Sequence, residues 1–382
     1  MALVTGFLFG VFFQKSRVFE TATIRGQMVF KRWVMLKLFL SAAGTGSLVC
    51  GLISHFNPKL YEIVREKYRG SCDRSFAYAL VLGSLLLGVG MTISAACPGM
   101  VLAQIGSGQP NSIWVVVGCL VAALVYGGVE SSIREGIVKK GFIVPKDKRF
   151  VDELLGLPKN RVVALDMGMV VGCWIGVCII EFFFPWNSDL EVDVQNSADC
   201  SISNPFECRQ WPPQLAGTFV GLLQLPLIFT FQTCMGTSTA YQSLIAIPLM
   251  IAGKHKVEAK SKLAYMAMFA PTNVALQWQI FYCGAALLGA YTAASSPATT
   301  NYGETPGLPP FTCFAGGFLM VFGSRLAAGC TSAHGLSGMP LMVVHSFIAV
   351  PALFGGGIIS AYIIQAIVGG TSNFIPHAGA TM

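Results

Sequence analysis

Residues 316–338 read GGFLMVFGSRLAAGCTSAHGLSG, and within this one stretch an apolar run from Phe318 to Phe322 meets Arg325, Cys330, Thr331, Ser332 and His334. A guanidinium, a thiol, two hydroxyls and an imidazole can all donate hydrogen bonds, and the first carries a permanent positive charge. That chemistry suits an anion. An arginine within an apolar span costs about 2.5–3.5 kcal/mol at a helix centre by insertion scales, and such residues face a cavity or a partner. No acidic residue stands close to Arg325 in the chain, which leaves two roles open: contact with an anion in transit, or a cap on the carbonyls that end its own helix. His334 is open in the same way, between the pathway and a hydrogen bond inside its own loop.

Three further stretches share this character. Cys97 lies in ISAACPGMVLAQIGSG at 93–108, and Cys234, Thr237 and Ser238 lie in LQLPLIFTFQTCMGTSTAYQS, which interrupts the apolar segment 214–252. Arg17 and Arg25 belong to a basic stretch at 14–37 that contains a single acidic residue, Glu20; they fit interfacial anchors or anion attractors. A thiol with an ordinary pKa near 8.5 stays protonated at neutral pH and is a weak donor. Weak donors suit conduction, because a site must hold an ion strongly enough to admit it and loosely enough to let it go. The chain has 12 cysteines but no C-x-x-C pair, which argues against a dithiol redox centre or a zinc ribbon. Cys50, Cys119, Cys173, Cys178, Cys283 and Cys313 sit in ordinary apolar segments and read as packing. Cys200 and Cys208, in an acidic loop, read equally as a disulfide or as two free thiols.

The elements that must position these groups are membrane helices. With 54% hydrophobic and 11% charged residues, the chain has too few polar side chains to cover a soluble surface. The pattern predicts an all-α multi-pass membrane protein with about nine transmembrane spans. A first transmembrane repeat covers 1–138, a basic linker 139–161, a connecting span 162–184, an acidic loop 185–213, a second repeat 214–370 and a tail 371–382. Asp166, near the start of the connecting span, is expected to pair with Arg161 rather than to serve a proton relay. At an offset of 233, Cys97 falls on Cys330 and Gly90 on Gly323, while Gly6 and Gly10 fall on Gly217 and Gly221 at an offset of 211. An even number of crossings followed by one connecting span turns the second half over, giving inverted repeats whose broken, re-entrant helices converge on a central pore.

Loop charge sets the orientation. Segments 55–75, 130–161 and 253–262 hold 17 Lys and Arg, against one in 185–213 and 295–310. The positive-inside rule places the first group in the cytoplasm, and the N-terminus with it, in a multi-pass protein of the cell membrane. The modest net charge of +7, gathered in those loops, argues against a nucleic-acid partner. No cofactor or metal is expected.

The pattern GSRLAAGCTSAHGLSG at 323–338, with AACPG at 95–99 and a broken helix opening each half, resembles the YeeE/YedE sulphur-transport family. The resemblance covers nearly the whole chain and is tightest at 323–338. It implies uptake of thiosulfate or a related inorganic sulphur compound through a pore in which cysteines pass the anion along S–H···S contacts, with no covalent exchange. Cys330 and Cys97 match the relay cysteines of the fourth and second loops. The first loop departs: Arg17-Val18-Phe19-Glu20 stands where the family often has Arg-Phe-Cys-Phe, so Phe19 takes a cysteine position and Cys234 is a candidate substitute. Thr331, Ser332, Thr237 and Ser238 extend the chain of donors. A soluble sulphur carrier is a further partner that this reading admits. The competing readings are a channel for another small anion, such as sulfite, selenite or a formate-like solute, and a membrane thiol or sulphur-transfer enzyme.

Overall fold

The computed structural model describes residues 1–72, 77–138, 148–158, 161–189, 210–251, 265, 269, 274–295, 307–370 and 374–375. Cys200 and Cys208, the acidic loop that holds them and most of the lysine-rich segment after 251 lie outside the described residues. Among the described residues the regular elements are helices, apart from one antiparallel bridge between Phe150 and Val343. Five helices are long and apolar enough to cross a bilayer: α3 (Val34–Phe56), α7 (Ser112–Val138), α9 (Val162–Phe183), the continuous run of α11 (Pro213–Leu222) and α12 (Gln224–Phe231), and the last helix, Val344–Ile367. The apolar helices α1 (Ala2–Lys15), α5 (Ala77–Ser94) and Pro310–Leu326 are shorter.

The remaining elements in chain order are α2 (Thr21–Met28), α4 (Pro58–Cys72), α6 (Met100–Gly106), α8 (Val151–Leu154), α10 (Trp186–Asp189) and α13 (Ser238–Ile251). After them come α14 (Val274–Ala294), α15 (Pro310–Leu326), a π-helical turn at Ser332–Gly338, and α16 (Val344–Ile367).

The helices pack in exchanged pairs. α1 lies on α14, where a methyl on Gly6 or Gly10 would strike the backbone of Tyr282 or Ala286, and α11 lies on α3, where Gly217 and Gly221 meet Leu38 and Ala42 in the same manner. α5 and α15 cross backbone to backbone, Gly83 against Gly323 and Gly90 against Gly316 and Met320. α7 packs on α15 through Gly118 and Gly317, as α16 packs on α5 through Gly356 and Gly88. Small residues carry these crossings because helices in lipid gain by close van der Waals approach, where water would supply a hydrophobic drive.

α9 stands at the periphery against α3. Its outer face exposes Val171, Ile175, Ile179 and Phe182, as a lipid-facing stripe requires, while Cys173 and Val177 point inward. Asp166 is fully buried, and neither of its carboxylate oxygens has a hydrogen-bond partner. The expected pairing with Arg161 is not made: Arg161 caps the helix and is exposed. Five residues at 100° each leave the two side chains well apart around the helix.

Two cations of the basic stretch at 14–37 are met by carboxylates, one local and one remote. Arg17 pairs with Glu20, and the buried Lys37 ammonium donates to the Phe184 carbonyl and lies 2.8 Å from a Glu181 carboxylate oxygen. On α4, Arg65 and Arg69 bind Asp152 and Glu153, each at 2.7 Å. These pairs hold the strap 149–154, whose backbone bonds to Met342 and Val344 just beyond the π-helical turn.

Candidate functional site

Four of the interrupted elements end alike. α1, α5, α12 and α15 are followed within two residues by Arg17, Ala95, Gln232 and Ala328, all left-handed with φ of 55°, 49°, 52° and 57°. A non-glycine residue in that region costs roughly 1–3 kcal/mol and persists only where its surroundings impose it. The effect here is to turn the chain sharply out of the helix axis, so that short loops rather than helix interiors occupy the centre of the bundle.

The loops are tied together in pairs. The lone amide of Gln104 donates to the carbonyls of Phe19 at 2.9 Å and Ala95 at 2.8 Å, joining the first loop to the second. Ser337 donates to the Met235 carbonyl at 2.7 Å, and the Gln224 amide to the Leu336 carbonyl, joining the fourth loop to the third and to α12. Tyr241 on α13 binds the Pro98 carbonyl at 2.8 Å, and Tyr68 on α4 binds the Ala333 carbonyl at 2.6 Å. Each bond satisfies a backbone carbonyl that unwinding the helix has stripped of its partner.

At the meeting point stands Cys330, fully buried. Its Sγ lies 3.2 Å from Ser332 Oγ and 3.8 Å from Thr237 Oγ1, and the two hydroxyls are 3.3 Å apart. The third loop thereby closes on the fourth. The second loop reaches the same place through Gly99, where a methyl would come within 3.2 Å of Thr237. Cys97 accepts from the Met100 amide at 3.4 Å and lies against Thr331.

Two cavities flank this triad. One, of about 50 Å³, is nearly all apolar and is lined by Cys97, Gly99, Thr331 and Ser332 with aromatic side chains that include Phe9 and Phe39. The other, of about 190 Å³, is polar and is lined by Cys234, Ser238, Gln279, Arg325 and Gly329, with Lys67 at its exposed rim. Residues 328–333 contribute to both, and Cys330 sits in the wall between.

Arg325 is buried with only 7% of its surface exposed; it donates to Ser238 Oγ, and its Nε has no partner. Gln279, whose buried Oε1 likewise has no hydrogen-bond partner among the described residues, lines the same cavity as Arg325. His334 spends both ring nitrogens locally, Nδ1 against Ser346 Oγ at 3.2 Å and Nε2 against the Ala327 carbonyl at 3.3 Å, and so braces the loop around Gly329. Arg25 donates to the carbonyls of Thr92, Ile93 and Phe374, closing the end of α5. Phe19 is packed in the core and lines neither cavity, whereas its neighbour Val18 lines the smaller one. Cys234 lines the larger cavity, away from the triad, within an apolar cluster that includes Cys50.

Sequence reasoning missed Gln104, Gln279, Tyr68 and Tyr241. The signal was present for Gln104, the single amide of its apolar helix, and for Gln279, one of two in its own, and it is the same signal that singles out Arg325.

The model of the sulphur transport family matches residues 15–359 of this chain. Among curated proteins the chain is similar to the thiosulfate transporter TsuA of Spirochaeta thermophila, with 22% identity over 365 residues, covering 91% of this chain and 93% of that one. The match spans all four interrupted loops and the helices from α2 into the last one. The protein is therefore a transporter and not an enzyme, and with its long apolar helices it is a multi-pass membrane protein. This chain belongs to the sulphur transport family.

Proposed function

We propose that the protein imports thiosulfate or a related inorganic sulphur anion. Its route runs from the small cavity at Cys97, past the Cys330–Ser332–Thr237 triad, into the large cavity at Arg325. The observation that carries this reading is the place of Cys330, a buried thiol in contact with two hydroxyls and set between two cavities. The curated relative is a thiosulfate transporter. Soft sulphur in the anion matches soft, weakly donating thiols, which hold it without trapping it. Donors around Arg325 then receive it where its charge is best met, charge-assisted bonds contributing about 1.5–3 kcal/mol each.

The exchanged packing supports an architecture of inverted repeats, 1–138 and 214–370, joined by the span 162–184 and enclosing a central pore with about nine crossings. In each half the first span seats on the second of the other half, and the third spans cross at matched glycines. A pseudo-twofold axis through the crossing of α5 and α15 generates this pattern. In that arrangement Lys67 and the strap mark the cytoplasmic side, the N-terminus is cytoplasmic, and the larger cavity opens inward. A soluble sulphur carrier would meet the substrate there.

The absence of a first-loop thiol favours a second substrate reading. With Phe19 in the cysteine position, a smaller or harder anion such as sulfite competes. Growth of a sulphur-starved host on thiosulfate as sole source, with and without this chain, tests the proposal; uptake of labelled thiosulfate against sulfite, sulfate and selenite separates the readings. Growth that does not depend on the chain refutes it.

A further inference from the structure

The buried carboxyl of Asp166 plays no part in the pathway above. Its neighbour Cys50 packs in one apolar cluster with Cys234, which lines the larger cavity. α3 makes room for the carboxyl at Gly51, where a methyl would stand 3.1 Å from Asp166 Cβ and 3.5 Å from Oδ2. The ionisable groups around it are Cys50 of α3, Tyr61 and Arg65 of α4, and Asp152 of α8. Cys50 is fully buried, and the Tyr61 hydroxyl is buried with no partner. Arg65 is already engaged, bound to Asp152 at 2.7 Å and stacked 3.8 Å from the Phe150 ring centroid. The pair Arg65–Asp152 is neutral by itself, so a proton on Asp166 leaves the whole cluster neutral and an ionised Asp166 leaves it with one uncompensated charge.

Cys50 and Tyr61 share an apolar cluster with Val64 and Cys234, and the last two line the larger cavity. A carboxyl inside a membrane segment, without donor or counter-ion, is costly to keep and marks ion or proton movement by default. Import of an anion into a negatively charged interior works against the membrane potential and requires positive charge to travel with it. We propose that Asp166 is the proton-binding site that couples substrate import to proton entry. Its carboxylate takes up one proton that has entered with the anion. It returns that proton to water by way of Cys50, Tyr61 and the larger cavity, with no electron transfer.

This inference rests on the transporter reading, and the test separates the two. The full-length protein is reconstituted in liposomes with an entrapped pH-sensitive dye, the membrane potential is clamped at zero, and uptake of labelled thiosulfate is followed with and without an inward proton gradient. The parent is expected to take up thiosulfate several-fold faster with the gradient and to acidify the interior in step with uptake. Asp166→Asn should lose that acceleration and the acidification while thiosulfate–thiosulfate exchange continues; Asp166→Glu should recover part of both. Labelling by a hydrophobic carbodiimide, which reacts with protonated carboxyls, should modify Asp166 in the parent and fade as pH rises, a readout that does not depend on the variants folding. A parent that transports thiosulfate with no proton movement, or an Asn variant that keeps the gradient response, overturns the proton site alone. A parent that moves no thiosulfate at all overturns the substrate reading, and the proton site with it.

Discussion

Ala95 and Ala328 stand 233 residues apart, each two positions before a cysteine, and both hold the left-handed backbone conformation, with φ of 49° and 57°. Alanine has no side-chain means of favouring that region, so each turn is imposed by the helix crossing behind it. α5 and α15 touch through backbone at Gly83, Gly90, Gly316 and Gly323, and the chain leaving each helix has to turn away at once. The matched strain is thus a consequence of the crossing, and it delivers Cys97 to the smaller cavity and Cys330 to the buried triad beside it.

Relief of that strain should be measurable. Ala328→Gly is expected to raise stability by about 1 kcal/mol, since glycine populates the left-handed region freely and other residues lose roughly 1–2 kcal/mol there. Ala328→Val should lower it by a similar or larger amount. Thermal unfolding of both variants in detergent checks the order.

The triad should govern rate. Cys330→Ala and Cys97→Ala are expected to abolish thiosulfate uptake at normal expression, whereas Cys330→Ser, which keeps a donor of similar size, should retain part of it. Thr237→Val removes one of the two hydroxyls at the Cys330 thiol and should lower uptake without abolishing it. A Cys330→Ala variant that imports at the parental rate would end the relay reading.

Arg325 should govern apparent affinity. Its guanidinium side chain lines the larger cavity, so Arg325→Gln is expected to raise the KM for thiosulfate at least tenfold, which corresponds to about 1.4 kcal/mol. Arg325→Lys keeps the charge, loses the planar fork and should fall between. Initial rates over a range of substrate concentrations, with surface expression measured alongside, distinguish this from lost protein.

The helix crossings should tolerate nothing larger than hydrogen at their contacts. Gly90→Val drives side-chain atoms into the backbone of Met320 and Gly316 and is expected to cost about 1–3 kcal/mol or more, as overpacking does. Gly284→Ala, in α14 but facing open space, should be neutral or stabilising by about 0.5–1 kcal/mol. Elution profile and melting temperature of the two variants provide the comparison.

The loop ties make a separate prediction. Gln104→Leu strips the donor from two buried carbonyls, those of Phe19 and Ala95. Each is expected to cost about 1–3 kcal/mol, partly recovered by local rearrangement. The variant should melt earlier and import more slowly even though Gln104 lines neither cavity.

Much of this was legible in one dimension because membrane helices must satisfy their backbone internally and show lipid an apolar face. Length and hydropathy therefore identified spans at 34–54, 162–184 and 341–368, within a few residues of the helices Val34–Phe56, Val162–Phe183 and Val344–Ile367, and a run of small and polar residues marked where helices could not continue. The crossing points were legible too, in the glycines at constant offset, because backbone contact at a crossing admits no other residue. The roles of the charged residues were not. Arg17, Arg25 and Lys37 look alike in sequence, yet one pairs with Glu20, one caps α5 and one is buried against Glu181, since the partners come from remote segments or from a local turn. His334 resembled a pathway residue and proved to brace its own loop.

By itself, then, the order of residues determined that this chain lies in the membrane, that helices break near Cys97, Cys234 and Cys330, and that a guanidinium accompanies the last break. Only the tertiary structure decided which thiol meets hydroxyls, which amide joins which loops, and that Asp166 has no partner. Those are contacts between segments up to hundreds of residues apart, and periodicity carries no information about them: they are set by how closely glycine lets two backbones cross.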